Sequence, residues 1–288
     1  MGSAPVPLSA NSRYNPNDTM RSARLAALSL CALSAQAPAP LENTGKPLRL
    51  PCQCVEEDIR SFGLTCPAQH PCPLYLELSG LEPVGNKIFL SGNIHTESAT
   101  LWSVLLASDD SGRTWYEPHE RIRAAGLEQI QFFDFQAGWV SGQLLHAVPR
   151  DPFLLLTTDG GKSWRASPVY GESRVGTIDR FWFDSRTHGM IWLDRTQAGD
   201  PGSRFEMWET MTGGGSWMVR EVSDRPIPSG QAKIRPPNAD WRLRADAASK
   251  SYRVEKRAGE RWQTLAAFLI GIGDCKEPEV SLPEPPPP

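Results

Sequence analysis

The chain has 288 residues, 40% of them hydrophobic, with 26 prolines, 24 glycines and a formal net charge of −3. That length admits one large all-β domain or two small ones, and ten Trp with ten Phe suit packed sheets joined by many turns. Scattered, nearly balanced charge excludes the basic footprint of a nucleic-acid binder.

Residues 1–19 are polar and rich in Pro, Ser and Asn, so they are expected to be a disordered extension or to precede a true start at Met20. From Met20 the text changes. Arg21 and Arg24 precede the apolar run Leu25–Leu33, and Ser34-Ala35-Gln36-Ala37 supplies small residues for cleavage. That grammar predicts a signal peptide over residues 20–37 and export to the periplasm or the extracellular space. The apolar run is too short to span a bilayer, so no membrane span is expected. Leu30 is too large for the position preceding a lipidated cysteine, which argues against Cys31 as an anchor.

Residues 38–74 form a Pro/Cys-rich segment with few strand signals. Cys52, Cys54, Cys66 and Cys72 cluster here, and Cys275 stands far downstream. In an exported chain these five are candidate disulfide cysteines that staple a region with little core of its own. A zinc site with His70 is the sharper alternative, but the one- and five-residue spacings within the pairs differ from ordinary zinc knuckles. The odd count leaves one thiol over. Either Cys275 pairs with the N-terminal cluster and closes the fold, or it is the unpaired thiol left by two bonds inside the cluster.

A turn motif then recurs. Ser108-Asp109-Asp110-Ser111-Gly112-Arg113-Thr114-Trp115 is followed by Thr157-Thr158-Asp159-Gly160-Gly161-Lys162-Ser163-Trp164, and then by a weakened copy, Thr210-Met211-Thr212-Gly213-Gly214-Gly215-Ser216-Trp217. Glu255–Trp262 is a fourth, eroded copy, with Arg257 in place of the aspartate. In each good copy the aspartate can cap the turn, the glycines supply backbone angles that a Cβ disfavours, and the tryptophan pins the return strand. The tryptophans recur at intervals of about 45–53 residues, the signature of a repeat fold. Aromatic strands precede the second and third turns, at Phe132–Val140 and Phe181–Ile191.

Ser/Thr-x-Asp-x-Gly-x-Thr/Ser-Trp resembles the Asp-box, or bacterial neuraminidase repeat, of sialidases and of many non-enzymatic β-propellers. The arrangement of aromatic strand, glycine turn, second strand and Asp-box is similar to the photosystem II assembly-factor-like branch of that superfamily. The resemblance covers about residues 75–268. It implies an all-β propeller of four-stranded blades over residues 75–275, with Asp110, Gly112, Trp115, Asp159, Gly161, Trp164, Thr212, Gly214 and Trp217 as structural turn residues. Familiar propellers of this kind carry six or seven blades, and this chain is too short for them. Four or five blades are therefore expected, the fifth assembled from the poorly marked ends. The runner-up is an open arc that closes by forming a homodimer. Residues 226–237 are expected to be a loop, and residues 276–288 a Pro-rich disordered tail.

The sialidase resemblance also implies chemistry to search for: an arginine triad, a Tyr–Glu nucleophile pair and an acid/base aspartate. Tyr116, Tyr170 and Tyr252 are available, with Glu117, Glu172 and Asp184 as carboxylates, but no Arg-Ile-Pro motif stands near the start. The histidines are isolated, Gly213-Gly214-Gly215 lacks the lysine and helix of a phosphate loop, and Asp109 with Asp110 is a weak calcium pair. No catalytic residue, metal or cofactor is assigned. The expected function is an exported, non-catalytic binding or assembly scaffold that takes a protein or cell-envelope ligand on one face of the ring. A sialidase-like glycoside hydrolase is the alternative, distinguished by whether three arginines and a tyrosine converge at the central pocket.

Overall fold

A computed structural model of the protein describes residues 39–199, 204–228 and 238–277. The expected extension, the signal peptide with Cys31, positions 229–237 of the expected loop and the tail from 278 lie outside the described residues.

The chain enters as a short strand, β1 (Leu41–Glu42), and passes through a helix, α1 (Glu56–Ser61). It then builds antiparallel meanders one after another. The first contains β2 (Cys72–Val84), β3 (Lys87–His95) and β4 (Thr100–Ser108), followed across the first turn motif by β5 (Thr114–Trp115). The second is β6 (Ala125–Phe132), β7 (Gly138–Leu145), β8 (Pro149–Thr157) and β9 (Arg165–Pro168). The third is β10 (Thr177–Phe183), β11 (Gly189–Asp194), β12 (Phe205–Thr210) and β13 (Met218–Ser223). The fourth has three strands, β14 (Trp241–Asp246), β15 (Ser251–Ala258) and β16 (Arg261–Leu269). Four successive meanders set around an axial cavity make a β-propeller, and the poorly marked ends extend the first and last blades rather than forming a fifth.

The first and last blades are joined three times over. Beyond Ile270 the chain continues from β16 into β17 (Gly271–Cys275), which leaves the fourth sheet and pairs with β2, Cys275 opposite Cys72 and Gly271 opposite Tyr75. The single apolar run Leu265–Ile272 is thus shared between two sheets. An N-terminal strap makes the second joint. β1 pairs with β5, Leu48 exchanges backbone hydrogen bonds with Ala267 and Leu269, and Asn43 Nδ2 donates to the carbonyls of both Gly112 and Leu265. The third is covalent: Cys54 is disulfide-bonded to Cys275, across a sequence separation of 221. Cys66 bonds Cys72, and among the described residues Cys52 is the free thiol. The edges through which an open arc would pair with a second chain are therefore occupied from within.

The largest buried cluster lies at this joint. It gathers Leu50, Leu74 and Leu76 with Trp115, Phe268, Ile272 and Cys275, all nearly or completely buried. Removing that much apolar surface from water, at about 25 cal/mol per Å², is what holds the first and last blades together. The cysteine segment is more ordered than its composition predicts. Asp58, buried at the foot of α1, accepts the Val55 N–H at 2.9 Å and pairs with Arg123 Nη1 at 2.7 Å, which fixes the helix against the connection into the second blade.

Candidate functional site

The aspartate turns are the most elaborated polar features of the fold. In the first, Asp110 Oδ1 accepts the backbone N–H groups of Arg113 and Thr114 at 3.0 and 2.9 Å, and its Oδ2 takes the Thr114 hydroxyl at 2.8 Å. In the second, Asp159 Oδ1 accepts from the backbones of Lys162 and Ser163, both at 3.0 Å, and Oδ2 takes the Ser163 hydroxyl. These bonds hold both carboxyls down near a pKa of about 2. The backbone N–H of Thr114 is the foremost cause for Asp110, and the Ser163 hydroxyl is for Asp159. The residue two positions earlier is a second cap that the sequence pattern contains without revealing its role. Ser108 and Thr157 point their hydroxyls back to the glycine N–H groups of Gly112 and Gly161 at 2.8 and 2.9 Å.

The third turn keeps this outline with weaker chemistry. Thr210 caps Gly214, but Thr212 has one hydroxyl where a carboxylate would offer two oxygens, and it receives the Ser216 N–H at 2.9 Å. Trp115 and Trp164 donate their indole N–H to the carbonyls of Gly112 and Gly161, whereas the buried indole nitrogen of Trp217 meets no partner among the described residues. The eroded fourth copy is a different object. Glu255–Ala258 lies inside β15, and Ala258 pairs directly with Arg261, leaving a two-residue hairpin without a capped loop.

Each tryptophan of the two full turns fastens its turn to neighbouring apolar groups. Trp164 meets Phe89 and Phe132 edge-on at 6.0 and 5.8 Å, and Trp115 meets Phe268 at 5.1 Å. Gly161 stands at φ +82°, and a Cβ there would sit 2.5 Å from the Phe89 ring, so only glycine lets the second turn close on the first blade. The turn residues are accordingly engaged in holding blades, at the rim of the sheets.

A cavity of about 600 Å³ lies on the axis, where one strand from each of the four sheets, β2, β6, β10 and β14, contributes to the wall. Its wall includes Ser79 and Glu82 from β2, Gln129 and Gln131 from β6, Phe181 and Trp182 from β10, and Trp241 and Arg242 from β14. Two glutamines tie its wall together. Gln131 both donates to the Phe183 carbonyl and accepts the Phe183 N–H, and Gln129 donates to the carbonyl of Asp179. Arg242 is the single arginine among the described lining residues. It is bound at 2.5 Å to buried Glu255 and stacked over Trp262 at 4.2 Å. The cavity wall thus combines aromatic side chains, glutamines whose amides are bonded to the backbone, and the charged residues Glu82 and Arg242. Aromatic and amide groups of this kind are suited to contacting an extended or planar ligand.

None of the residues that the sialidase comparison singles out lines this cavity. Tyr116 donates to Asp109 at 2.6 Å, and Asp109 also faces Lys87 at 3.4 Å. Glu117 is held by Arg121, Glu172 by Arg174 and Asp184 by His188. The pair that most resembles a nucleophile arrangement is Tyr170 and Glu206, 3.0 Å apart with Arg195 Nη1 at 2.7 Å. Yet Tyr170 and Glu206 are 6% and 4% exposed, and the Trp208 indole N–H donates at 2.7 Å to the same carboxylate oxygen as Tyr170. Burial, with Glu206 beside it, pushes the Tyr170 phenol well above its ordinary pKa. This is a structural clamp between the second and third blades, closed to a sugar. His188 lies between Asp184 and Glu209 at 2.7 and 2.9 Å; those bonds, Glu209 first, raise its pKa. No cluster of three or more His, Cys, Asp or Glu among the described residues is arranged to hold a metal. No helix among them is long and apolar enough to cross a membrane.

No family model matches the chain, and no curated protein matches it in sequence. Among solved structures it is similar to YCF48 bound to D1 peptide, at 16% identity and a TM-score of 0.36, over 69% of this chain and 60% of that one. It is similar also to YCF48 from Cyanidioschyzon merolae, at 18% identity and 0.34, over 67% and 57%. A third is the Penicillium chrysogenum α-L-arabinanase complexed with arabinobiose, at 13% identity and 0.38, over 79% and 66%. The chain thus spans between 57% and 66% of the length of these three proteins. At such identities and TM-scores the likeness carries no functional argument.

Proposed function

We propose that this is an exported, non-catalytic β-propeller of the Asp-box kind, a binding or assembly scaffold of the cell envelope that recognises a protein or surface ligand on one face of its ring. The observation that carries this reading is the chemistry of the axial cavity. Trp182, Trp241, Gln129 and Gln131 line it with one described carboxylate, that of Glu82, while its one described arginine is already paired with Glu255. A glycosidase of sialidase type needs free arginines to grip a carboxylate and a solvent-reachable tyrosine; Tyr170, the tyrosine set beside a glutamate and an arginine, is buried. Export is supported by the signal-like text over residues 20–37 and by two disulfides, bonds that persist in oxidising compartments. The functional residues proposed are Trp182 and Trp241 as ligand-facing aromatics, with the aspartate turns as the frame.

The test is an assay of purified disulfide-intact protein against fluorogenic sialosides and arabinosides in mildly acidic and in neutral buffer. No turnover is expected. Hydrolysis abolished by Tyr170→Phe would establish the glycoside hydrolase instead.

A further inference from the structure

The outer edge of the third blade differs from those of the others. β5 is covered by β1, β16 by the bridge to Leu48, and β9 ends in Pro168, which has no N–H to offer a further strand. β13 is the last strand of its sheet, and among the described residues no strand pairs with its outer edge. It carries apolar side chains on both faces, with Met218 56%, Val219 50% and Val222 48% exposed. An edge to which no strand is paired is a template for another strand whose residues match it.

We propose that β13 pairs antiparallel with β13 of a second copy of this chain, about a two-fold axis passing between Arg220 and Glu221. The strand Met218-Val219-Arg220-Glu221-Val222-Ser223 is self-complementary in that register. Arg220 comes opposite Glu221 of the other copy, Val219 opposite Val222, and Met218 opposite Ser223. In a regular strand neighbouring residues point to opposite faces, and such a register would set side chains of opposite faces against each other. A bulge removes that obstacle. Glu221 stands opposite Met207 and Val219 opposite Trp208, which leaves Arg220 as the extra residue between them. Arg220 bonds Glu209, two residues from Met207 on β12, so it shares a face with Glu221.

A two-fold contact makes each pair twice. Both Arg220–Glu221 pairs therefore fall on one face of the joint, and both Val219–Val222 pairs on the other. The charges select this register, because a slip of one residue would set Arg220 against its own copy or Glu221 against its own. Arg220 commits Nε and Nη2 to Glu209 and keeps Nη1 for a second carboxylate. The joint would fuse two four-stranded blades into one eight-stranded sheet, independently of any ligand in the axial cavity.

Sedimentation velocity over a concentration series of the disulfide-intact protein tests this, with two charge reversals. Wild type should show a concentration-dependent dimer. Arg220→Glu and Glu221→Arg should each weaken it about ten-fold or more, since each replaces two attractive pairs by two repulsive ones. An equimolar mixture of the two variants should recover dimer, because the two adjacent acids of one variant then face the two adjacent arginines of the other. A wild type that stays monomeric to its solubility limit overturns the proposal. So does a dimer indifferent to both reversals, or a mixture that fails to recover. Both side chains lie on the exposed edge, and thermal melts of the variants separate lost association from lost folding.

Discussion

Removing the Cys54–Cys275 bond, by the double change Cys54→Ser/Cys275→Ser, measures how much of the ring's stability is topological. The two residues are 221 apart in sequence, so the bond denies the unfolded chain the freedom of a very long loop. Chain-entropy arithmetic puts that at about 5 kcal/mol at 25 °C, against about 2 kcal/mol for Cys66–Cys72, which closes a separation of 6. The native ends stay in register after the cut, because β17 still pairs with β2 and Leu48 with β16, so the loss falls on the unfolded state. Residual structure in that state lowers the figure, but the ordering of the two bonds survives. For a domain of this size about 5 kcal/mol corresponds to a fall of roughly 10–20 °C in melting temperature. Calorimetry of wild type and of the two serine pairs, with Cys52 blocked in all three, gives the comparison. The long-loop pair should cost about 3 kcal/mol more than the short-loop pair. Equal costs, or a larger cost for Cys66→Ser/Cys72→Ser, would refute the view that Cys275 closes the ring.

Asp159→Ala removes the acceptor for two backbone N–H groups and two hydroxyls, and should cost about 1–2 kcal/mol in urea titration at pH 7, the scale of a lost cap. Thr212→Ala should cost less. Because the folded Asp159 carboxyl is held down to about 2 from 3.8, its contribution is complete above the unfolded value and fades as pH falls toward the folded one. The cost of Asp159→Ala should therefore be smaller at pH 3 than at pH 7; a pH-independent cost would mean that the carboxylate is not the cap. Gly161→Ala should destabilise by about 1–2 kcal/mol from the left-handed backbone alone, and further from its contact with Phe89. A neutral Gly161→Ala would show that the second turn does not close on the first blade as described.

The parts of this molecule that were legible in its sequence are those written locally. A turn of eight residues contains its own caps, glycines and pin, so the Asp110 and Asp159 turns and the strands around them could be read from spacing. The joint between the first and last blades could be anticipated only as one of two fates for Cys275. Its other elements left no signal. The strap around Leu41–Leu50 has neither alternation nor a long strand, and its partner atoms on Leu265 and Ala267 lie over two hundred residues away. Helix α1 is short and set in a Pro/Cys-rich text, and depends on a buried Asp58–Arg123 pair that no periodicity announces. The axial cavity draws its wall from four separate sheets, so no spacing could assemble Trp182 with Trp241. The Tyr170–Glu206 contact shows the converse. The residue types of a sialidase nucleophile were available in the sequence, and burial turned them into a clamp.

The proposed function requires the axial cavity to receive a macromolecular ligand of the cell envelope. A photo-reactive benzoylphenylalanine placed at Trp182, with a control at exposed Arg165 on the outer strand β9, tests it in the producing cells. Position 182 should give an ultraviolet-dependent adduct of discrete mass in the envelope fraction, and position 165 none of that mass. No adduct at 182, or the same adducts from both positions, would contradict it.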